Sequence, residues 1–449
     1  MSELDQAPLP LRASASNRLR GDIAVPGDKS ISHRALMFGL LAVGETRIRG
    51  LLEGEDVLRT AQAIRQLGAR ADRLGPGEWR VHGVGIGGLR APEDILYMGN
   101  SGTSARLLMG IVASHPITAT FAGDASLSRR PMARVAEPLA RMGAVFTGAE
   151  GFRLPLTLSG ASPVMPIDYT VPVASAQVKS ALLLAGLNAR GETRITEPEA
   201  TRDHSEIMLA HMGAELHVEP LPGGGRLIRL TGQPELRPGN FEVPGDASSA
   251  AFALVAALIT PGSQVTVRNV GINPLRAGLF ECLREMGADL RLENVHTKGG
   301  EPVADITARS SVLQAISPPP SRAPSMIDEY PILAIAGACA TGRTELRGLA
   351  ELRVKESDRL AAIAEGLAAC GVSVTETADG LGIDGSGGPI PGGGHIATRM
   401  DHRIAMAFLV AGLNAAKPVS IDDGAMIDTS FPGFRSLMQG LGAMIEDVV

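Results

Sequence analysis

The chain has 449 residues, of which 44% are hydrophobic and 20% are charged, and its formal net charge at pH 7 is -6. This balance excludes a disordered chain, and the length is enough for two domains with well-buried cores. The negative net charge argues against a general nucleic-acid or membrane-surface binder, because such proteins carry a basic excess.

The sequence predicts neither a signal peptide nor a membrane span. Residues 1–20 contain early acids and no apolar core. The longest apolar runs, 250–259 and 404–413, are well short of the roughly 20 residues that cross a bilayer. The cysteines Cys282, Cys339 and Cys370 form no CxxC pair and no disulfide pattern, which favours a reducing compartment. We therefore expect a soluble, cytoplasmic protein.

Six times along the chain, a Gly-bearing or polar turn leads into an almost wholly apolar helix. The helix onsets are, in chain order, 25–30, 99–103, 171–177, 243–249, 323–328 and 400–403. Helices that are apolar all round are buried in large domains. A helix N-terminus carries free N–H groups and a partial positive charge, so six of them predict a site for anions.

A second marker repeats with the first. Amphipathic helices end in a glycine followed by Ala or Val and an alternating strand, at Gly68, Gly143, Gly213, Gly287, Gly371 and Gly442. A glycine at this place fits the left-handed residue that closes a helix. One repeat is then a strand, an apolar helix, a strand, an amphipathic helix, and one or two further strands.

The two halves of the chain also match each other. Val25-Pro26-Gly27-Asp28 is repeated as Val243-Pro244-Gly245-Asp246. Three repeats per half predict two α/β domains of like fold, with crossovers near residues 20–23 and 240–243. The first onset keeps charged residues, whereas the fourth has small ones, so we expect the first to bind a ligand and the fourth mainly to pack.

Candidate anion-binding residues lie at the onsets of the first half. Lys29, Ser30 and Arg34 suit a phosphate-bearing ligand, because the helix that follows is otherwise apolar. The alternative is a Ser cap with a solvated Lys and Arg. Arg130 stands before a proline that suits the first turn of a helix, and from the residues alone a solvated arginine is equally acceptable.

The next onsets leave two interpretations open. Ser175, Gln177 and Lys179 enter the next helix. Ser175 and Gln177 could bind hydroxyls of a polyol, but from these residues alone simple capping is the favoured interpretation. Arg202, which opens the following helix, has the same ambiguity. Asp328 is either a helix cap or a general base near a hydroxyl substrate.

The last cluster is the densest in charge. Lys355, Glu356 and Arg359 fit an exposed helix face, or else two cations for anions with Glu356 as an acid–base group. Arg403 precedes an apolar helix, where a solvated arginine is harder to accept. Many cations with few acids favour a group-transfer enzyme for small molecules that carry phosphate and carboxylate.

Cofactor motifs are missing. The glycine-rich stretch 83–88 does not lead into a helix, so it is not a dinucleotide fingerprint. No Walker motif occurs, no GxSxG occurs, and the histidines lack ligand spacing, so we expect no metal and no cofactor.

At these residues the chain resembles the 5-enolpyruvylshikimate-3-phosphate synthase (EPSP synthase) family of enolpyruvyl transferases, in particular the branch called class II. The resemblance runs from about Leu19 to Gly442. The matching motifs are Pro26–Arg34, Gly123–Leu127, Ala174–Ser180, Lys355–Arg359 and Asp401–Arg403, with Arg202–Glu206 pointing to class II.

The resemblance implies a fold and an activity. The fold is two similar domains, each of three βαβαββ repeats, an arrangement known as the inside-out α/β barrel or enolpyruvyl transferase fold. The domains would be residues 22–242 and residues 1–21 plus 243–449, with the active-site cleft between them. The activity is transfer of the enolpyruvyl group of phosphoenolpyruvate to the 5-hydroxyl of shikimate-3-phosphate, in aromatic amino acid (chorismate) biosynthesis, by a monomer.

The resemblance also implies site residues. Shikimate-3-phosphate would be held by Lys29, Ser30, Arg34, Ser175, Gln177, Arg202, Asp328 and Lys355. Phosphoenolpyruvate would be held by Lys29, Gly102, Arg130, Gln177, Arg359 and Arg403. Asp328 would be the base for the 5-hydroxyl, and Glu356 and Lys29 would move protons at the enol methylene.

The sequence departs from the family pattern at two places. Ser101 stands where Ala is usual, and Gly102 occupies the position that is Ala in herbicide-insensitive class II relatives, so we expect glyphosate to inhibit. Residues 428–432 lack the lysine that class I members carry, and no ligand contact is expected at Thr429.

Three other interpretations are weaker. The sister enzyme, UDP-N-acetylglucosamine enolpyruvyltransferase, typically has a cysteine in the loop matching residues 123–131, and this chain has none there. A non-catalytic anion-binding repeat protein would have lost Asp328 and Glu356. RNA binding is opposed by the net charge and by the small number of aromatic residues.

Overall fold

The computed structural model describes residues 8–448. The expectation about a signal peptide falls partly on residues 1–7, which lie outside that range. Over the described part of the chain, no helix combines the length and apolar character needed to cross a membrane.

Helices and strands alternate throughout, as in an α/β protein. The α-helices of the described residues are α1 (Lys29–Leu41), α2 (Glu55–Gln66), α3 (Gly102–Ala113), α4 (Ala125–Arg129), α5 (Ala133–Arg141), α6 (Ala176–Gly186), α7 (His204–His211), α8 (Ala247–Ile259), α9 (Gly278–Glu285), α10 (Tyr330–Cys339), α11 (Arg359–Ala369), α12 (His402–Gly412) and α13 (Phe434–Gly440).

The strands are short and form several small sheets. They are β1 (Leu11–Ser14), β2 (Arg20–Ala24), β3 (Val43–Arg49), β4 (Arg70–Gly75), β5 (Glu78–Val84), β6 (Leu96–Tyr97), β7 (Thr118–Ala122), β8 (Val145–Ala149), β9 (Arg153–Ser159), β10 (Asp168–Thr170), β11 (Glu192–Glu197), β12 (Leu216–Pro220), β13 (Arg226–Thr231), β14 (Asn240–Glu242), β15 (Gln264–Gly271), β16 (Asp289–Lys298), β17 (Glu301–Arg309), β18 (Thr341–Leu346), β19 (Val374–Glu376), β20 (Leu381–Ser386), β21 (Ile390–Gly392), β22 (His395–Ile396), β23 (Ala415–Lys417), β24 (Val419–Ile421) and β25 (Met444–Asp447).

The sheets repeat one topology. In the sheets β6-β7-β9-β8 and β10-β11-β13-β12, the first two strands are parallel and the other pairs are antiparallel. A parallel pair needs a crossover, and here the crossover is the buried helix, α3 or α6. A further helix, α5 or α7, follows the parallel pair and precedes a hairpin. The predicted βαβαββ repeat is confirmed.

The buried helices are the six that the sequence predicts: α1, α3, α6, α8, α10 and α12. Every residue of α8 is buried, and so is every residue of α10. These helices have no polar side along their length, so their polar groups are concentrated at the ends. Five of the six helices are capped by a side-chain oxygen that accepts a hydrogen bond from a backbone N–H of the first turn. The capping residues are Asp28, Ser101, Ser175, Asp246 and Asp401.

The six glycines that close the amphipathic helices have the predicted conformation. Their φ angles are +110° at Gly68, +109° at Gly143, +92° at Gly213, +84° at Gly287, +75° at Gly371 and +103° at Gly442. Residues with a Cβ are strained in this left-handed region, and glycine is not. The next backbone N–H then bonds back into the last turn, as when Ala69 N donates to Ile64 O at 3.0 Å.

The described residues divide into two compact units, each with its own apolar core. The N-terminal unit comprises Gly27–Val243 with Thr297–Glu301; the C-terminal unit comprises the chain up to Pro26, Pro244–His296 and everything from Pro302 onward. In the C-terminal unit β2 pairs in parallel with β15, which is why the boundary follows Pro26 and not residue 21. In the N-terminal unit β14 returns to pair with β3.

The contact between α3 and α6 gives a stability prediction. An added Cβ at Gly110 would lie 2.2 Å from the Ala181 carbonyl oxygen, so the two buried helices would have to separate. We expect Gly110→Ala to lower the free energy of unfolding by about 1–3 kcal/mol, as overpacked cores do. Thermal and urea unfolding measure this change.

Gly440→Ala is the matched control, because Gly440 is also helical and nothing lies within 4 Å of its added Cβ. It should leave stability unchanged or raise it by about 0.4–1 kcal/mol, through the reduced entropy of the unfolded chain. Equal effects of the two substitutions would contradict the close approach at Gly110.

Candidate active site

The first onset holds its lysine by an ion pair. Lys29 Nζ lies 2.8 Å from Asp56 Oδ2, and 18% of the Lys29 side-chain surface is exposed. Asp56 lies in the first turn of α2, and its carboxylate fixes the ammonium at the mouth of α1. The solvated-lysine alternative is therefore wrong, and Lys29 is a partly exposed cation with a defined position.

Arg34 is buried instead of solvated. Its Nε donates to Ser205 Oγ at 2.8 Å, its Nη2 donates to Ser180 Oγ at 2.9 Å, and its Nη1 donates to Ser30 O at 2.9 Å. Burial, together with the nearby Arg202, lowers the pKa of the Arg34 guanidinium to about 10, against the opposing effect of Glu206 and other acids. Two arginines close enough to repel each other are typical of a site built for an anion.

The onsets of α3 and α6 are tied together. Arg106 Nη1 donates to Gln177 Oε1 at 2.6 Å, and Gln177 Nε2 donates to Thr103 Oγ1 at 3.0 Å. An added Cβ at Gly102 would lie 2.8 Å from Arg106 Nη1 and 3.3 Å from Arg130 Nη1. The absence of a side chain at Gly102 therefore keeps open the space beside two guanidinium groups.

Arg130 is held by the loop that precedes α3. Its Nη2 donates to Asn100 Oδ1 and its Nη1 donates to Asn100 O at 3.3 Å. Asn100 is in turn fixed by Asp124, to whose Oδ2 its amide donates at 2.9 Å. Arg130 is buried, so the solvated alternative is wrong here as well.

Ser175 and Arg202 complete the set from the N-terminal unit. Ser175 caps α6, its Oγ accepting from Val178 N at 3.4 Å, so the capping function is present whatever else the hydroxyl binds. Arg202 lies just before α7 and close enough to Arg34 to influence its charge. Both side chains are half-buried.

In the C-terminal unit, Arg359 joins three carboxylates. Its Nε donates to Asp401 Oδ2 at 2.8 Å, its Nη2 lies 2.6 Å from Glu356 Oε2, and its Nη1 donates to Asp328 Oδ1 at 3.1 Å. Arg359 is completely buried, and burial alone would lower the pKa of its guanidinium. The three carboxylates outweigh burial and raise that pKa, so Arg359 stays charged.

The remaining site candidates of this unit surround Asp328. Lys355 Nζ is 4.0 Å from Asp328 Oδ1, and Arg403 Nη1 donates to Asp328 O at 3.3 Å. The structure thus brings Asp328, Lys355, Glu356, Arg359 and Arg403 into one cluster. An exposed helix face for the segment 355–359 is wrong, because the segment turns inward at Arg359.

The fourth onset is more than packing, which corrects the expectation from its small residues. Ser248 Oγ donates a hydrogen bond to Glu329. Arg276 Nη2 donates to Ser248 Oγ, and Arg276 Nη1 lies 2.8 Å from Glu329 Oε2. Arg403 Nη1 is 3.6 Å from Glu329 Oε1. This buried cluster holds the residue next to Asp328, so the fourth onset supports the fifth.

Comparisons with known proteins agree with this geometry. The sequence model of the family described as "EPSP synthase (3-phosphoshikimate 1-carboxyvinyltransferase)" matches residues 13–438. The chain belongs to the EPSP synthase family. It is therefore a transferase of aromatic amino acid biosynthesis, and the prediction made from its motifs is confirmed.

Relatives from several bacteria match over nearly the whole chain. The 3-phosphoshikimate 1-carboxyvinyltransferase of Parvibaculum lavamentivorans is 62% identical over 433 residues, covering 96% of each chain. That of Acidiphilium cryptum is 64% identical over 428 residues, covering 95% of this chain and 96% of the relative.

Solved structures carry the same fold. An EPSP synthase structure from Acinetobacter baumannii has a TM-score of 0.87 and 47% identity, covering 98% of this chain and 100% of the other. The enolpyruvyl transferase NikO from Streptomyces tendae has a TM-score of 0.76 at 20% identity, covering 98% and 99% of the two chains. The second likeness concerns the fold alone, and the enolpyruvyl transferase fold is confirmed.

Sequence reasoning missed the partners that hold the site residues of this EPSP synthase family member. They are Asp56, Asn100, Arg106, Arg276, Glu329 and Asp401. Arg106 offered a signal, since it is the single cation in the apolar α3. Asp401 offered one too, because it stands in a motif of which only Arg403 was given a role. Asp56 and Arg276 offered none, because they resemble ordinary helix and loop residues.

Asp401 gives a prediction about the C-terminal cluster. In the wild type, Asp401 Oδ1 accepts from the Arg403 backbone N–H at 3.0 Å. Asp401→Asn keeps an oxygen for this hydrogen bond but removes the negative charge opposite Arg359. Breaking a buried ion pair costs about 3–5 kcal/mol. We expect a loss near the lower end, because two other carboxylates remain, together with a lower kcat/KM for phosphoenolpyruvate.

Asp384→Asn is the control, since Asp384 pairs with Arg343 at 2.8 Å on the exposed surface. Exposed pairs contribute about 1 kcal/mol or less. Unfolding and steady-state kinetics on both variants check the prediction. Equal stability losses would contradict the role of Asp401 in compensating Arg359.

Proposed function

We propose that the chain transfers the enolpyruvyl group of phosphoenolpyruvate to the 5-hydroxyl of shikimate-3-phosphate and releases phosphate. The observation that carries the proposal is the Arg359 cluster, in which one buried guanidinium holds both Asp328 and Glu356. A carboxylate for the hydroxyl proton and a second acid–base group are what this reaction requires. The surrounding cations suit two phosphates and two carboxylates.

Shikimate-3-phosphate is held, in this proposal, by cations, hydroxyls, an amide and one carboxylate. The residues are Lys29, Ser30, Arg34, Ser175, Gln177, Arg202, Asp328 and Lys355. The proximity of Arg34 and Arg202 supports a dianionic phosphate or a carboxylate near them. Hydroxyls and an amide at the start of α6 suit the sugar-like ring.

Phosphoenolpyruvate is held by Lys29, Gly102, Arg130, Gln177, Arg359 and Arg403. Guanidinium groups match carboxylate and phosphate with two parallel hydrogen bonds, which favours arginine over lysine at Arg130, Arg359 and Arg403. The hydrogen bonds that join Gln177 to Arg106 and to Thr103 support the assignment of Gln177, because they fix its side-chain amide beside Gly102.

The chemistry balances without a cofactor. A proton added to the methylene carbon of phosphoenolpyruvate makes its central carbon electrophilic, with Glu356 and Lys29 as the groups that move this proton. The 5-hydroxyl oxygen bonds to that carbon and gives its proton to Asp328. The carbon–oxygen bond to phosphate then breaks, and the methyl group returns one proton, which restores the double bond. Fixed charges stabilise the transition states without rearranging.

We further propose that the protein acts as a monomer in the cytoplasm. Phosphoenolpyruvate and shikimate-3-phosphate are its small-molecule partners in this proposal. No nucleic acid, membrane, metal or cofactor has a role in it.

The decisive assay measures phosphate release from phosphoenolpyruvate with shikimate-3-phosphate and, separately, with UDP-N-acetylglucosamine. We expect release with the first acceptor only. Asp328→Asn should lower kcat by about 10²–10⁴-fold, the range of a general base, with a smaller change in the KM of phosphoenolpyruvate. Asp379→Asn, an exposed carboxylate of the same unit, is the control and should leave the rate unchanged. Release with the UDP-sugar alone would overturn the proposal.

Gly102 gives a prediction about inhibition. The added Cβ of Gly102→Ala would crowd Arg106 and Arg130, at 2.8 and 3.3 Å from their Nη1 atoms. We expect glyphosate to inhibit the wild type, and its inhibition constant to rise about tenfold or more in the variant, which corresponds to about 1.4 kcal/mol. The KM of phosphoenolpyruvate should rise less.

Gly75→Ala is the matched control, because nothing lies within 4 Å of its added Cβ and its φ is not positive. Steady-state kinetics with varied glyphosate and phosphoenolpyruvate give the inhibition constants of the wild type, Gly102→Ala and Gly75→Ala. An unchanged inhibition constant in Gly102→Ala would show that the space beside this glycine does not accommodate the inhibitor.

A further inference from the structure

Besides Arg34 and Arg130, the N-terminal unit has a third buried cation, Lys179, which belongs to neither proposed substrate set. The Lys179 side chain on α6 has no exposed surface. Its Nζ donates to Glu197 Oε2 at 2.8 Å and to Thr201 O at 3.3 Å, and lies 2.7 Å from Glu206 Oε1. The ammonium group is therefore held by three protein oxygens, through two hydrogen bonds and one ion pair.

The cluster places one buried ammonium group between two buried carboxyl groups, those of Glu197 and Glu206. Burial alone would lower the pKa of Lys179, but the Glu206 and Glu197 carboxylates outweigh it and the pKa is raised. Burial raises the pKa of the Glu197 carboxyl. Glu206 also acts on Arg34, where it raises the pKa of the guanidinium against burial. One glutamate thus interacts with both Lys179 and Arg34.

Lys179 also fixes the segment that leads to Arg202. Glu197 ends β11, and Thr201 Oγ1 donates to its Oε1 while the Thr201 carbonyl accepts from Lys179. The short loop between Glu197 and Thr201 is therefore closed at both ends by one ammonium group. Arg202 is the next residue, so its backbone begins from a fixed point.

Two parallel links join α6 to α7. One is Lys179 to Glu206, and the other is Ser180 Oγ to Ser205 Oγ at 2.7 Å. Arg34 donates to both serines of the second link. The links are formed by consecutive residues on each helix, so a shift of Glu206 moves Ser205, and with it the acceptor of the Arg34 Nε.

We propose that Lys179 is a positioning residue for shikimate-3-phosphate binding, which it serves by fixing both Arg202 and Arg34 without touching the ligand. The inference rests on the proposed function, because it takes the anion near these two arginines to be shikimate-3-phosphate. A smaller effect on phosphoenolpyruvate is expected, because Arg34 and Arg202 belong only to the proposed shikimate-3-phosphate set. Gln177, which belongs to both sets, stands on α6 together with Lys179.

The test compares the effect of one substitution on the binding of each substrate, and a split means that shikimate-3-phosphate is affected much more than phosphoenolpyruvate. Lys179→Met leaves two buried carboxylates without their ammonium, so Glu206 turns toward Arg34 and Thr201 is released. We expect the KM and the calorimetric Kd of shikimate-3-phosphate to rise about 10- to 100-fold, as for a misplaced binding group. The KM of phosphoenolpyruvate at saturating shikimate-3-phosphate should stay within about threefold, a free-energy change below about 0.7 kcal/mol.

Lys298→Met is the matched control. Lys298 also pairs with a glutamate of the N-terminal unit, Glu242 at 2.9 Å, but has no link to either arginine. It should change neither constant. A Lys179→Met protein that folds and keeps its affinity for shikimate-3-phosphate, or that loses affinity for both substrates equally, would overturn the inference and leave Lys179 as a core ion pair only.

A second variant covers the case in which Lys179→Met does not fold. Glu197→Gln keeps the size of the side chain and an oxygen for the Thr201 hydroxyl, and should give the same split with a smaller rise. Equal or absent changes would again overturn the inference. The wild type is assayed first. If it does not turn over the two substrates, the proposed function is contradicted. If it does, but the variants affect both substrates alike, only the inference about Lys179 is contradicted.

Discussion

A helix without a polar side must be surrounded by protein along its whole length, and six such helices determine how this molecule is built. Each is covered by sheets and by a more polar helix, so the chain repeats one βαβαββ arrangement to provide the cover. Backbone N–H groups at the helix starts still need acceptors. Asp28, Ser101, Ser175, Asp246 and Asp401 supply them, and the proposed site residues of these helices lie in or next to their first turns. The location of Lys29, Gly102, Gln177 and Arg403 therefore follows from the burial of the helices.

Burial also decides how the charges are held. A buried cation is stable only when carboxylates or hydroxyls surround it, and the two units solve this differently. In the N-terminal unit Arg34 is bound by serines and a carbonyl, which leaves it attractive to a ligand anion. In the C-terminal unit Arg359 is bound by three carboxylates, two of which are the proposed acid–base groups. The first arrangement leaves a buried cation with charge to offer to a ligand, and the second holds the two proposed acid–base groups in place.

The sequence predicts those features that are encoded locally. Helix onsets, closing glycines and apolar runs each depend on neighbouring residues, and the positive φ at Gly68 and its counterparts agrees with the prediction. The partners of the site residues depend on packing between distant segments. Arg106 and Gln177 are 71 residues apart, and α9, β16 and β17 lie between Arg276 and Glu329. No periodicity records such pairs, so the fourth onset was predicted as packing although Ser248 is bonded to Glu329.

The comparison of the first and fourth onsets shows how a duplicated fold comes to carry unequal functions. Both begin with Val-Pro-Gly-Asp, and in both the aspartate caps the helix. In the first, the cation Arg34 lies on the helix itself and uses serines, so its charge remains to act on a ligand. In the fourth, the cation Arg276 comes from the loop after β15 and is neutralised by Glu329 and Asp246. A neutralised cluster cannot recruit an anion, but it can hold the backbone beside Asp328 rigidly, and a general base needs that rigidity more than it needs another charge.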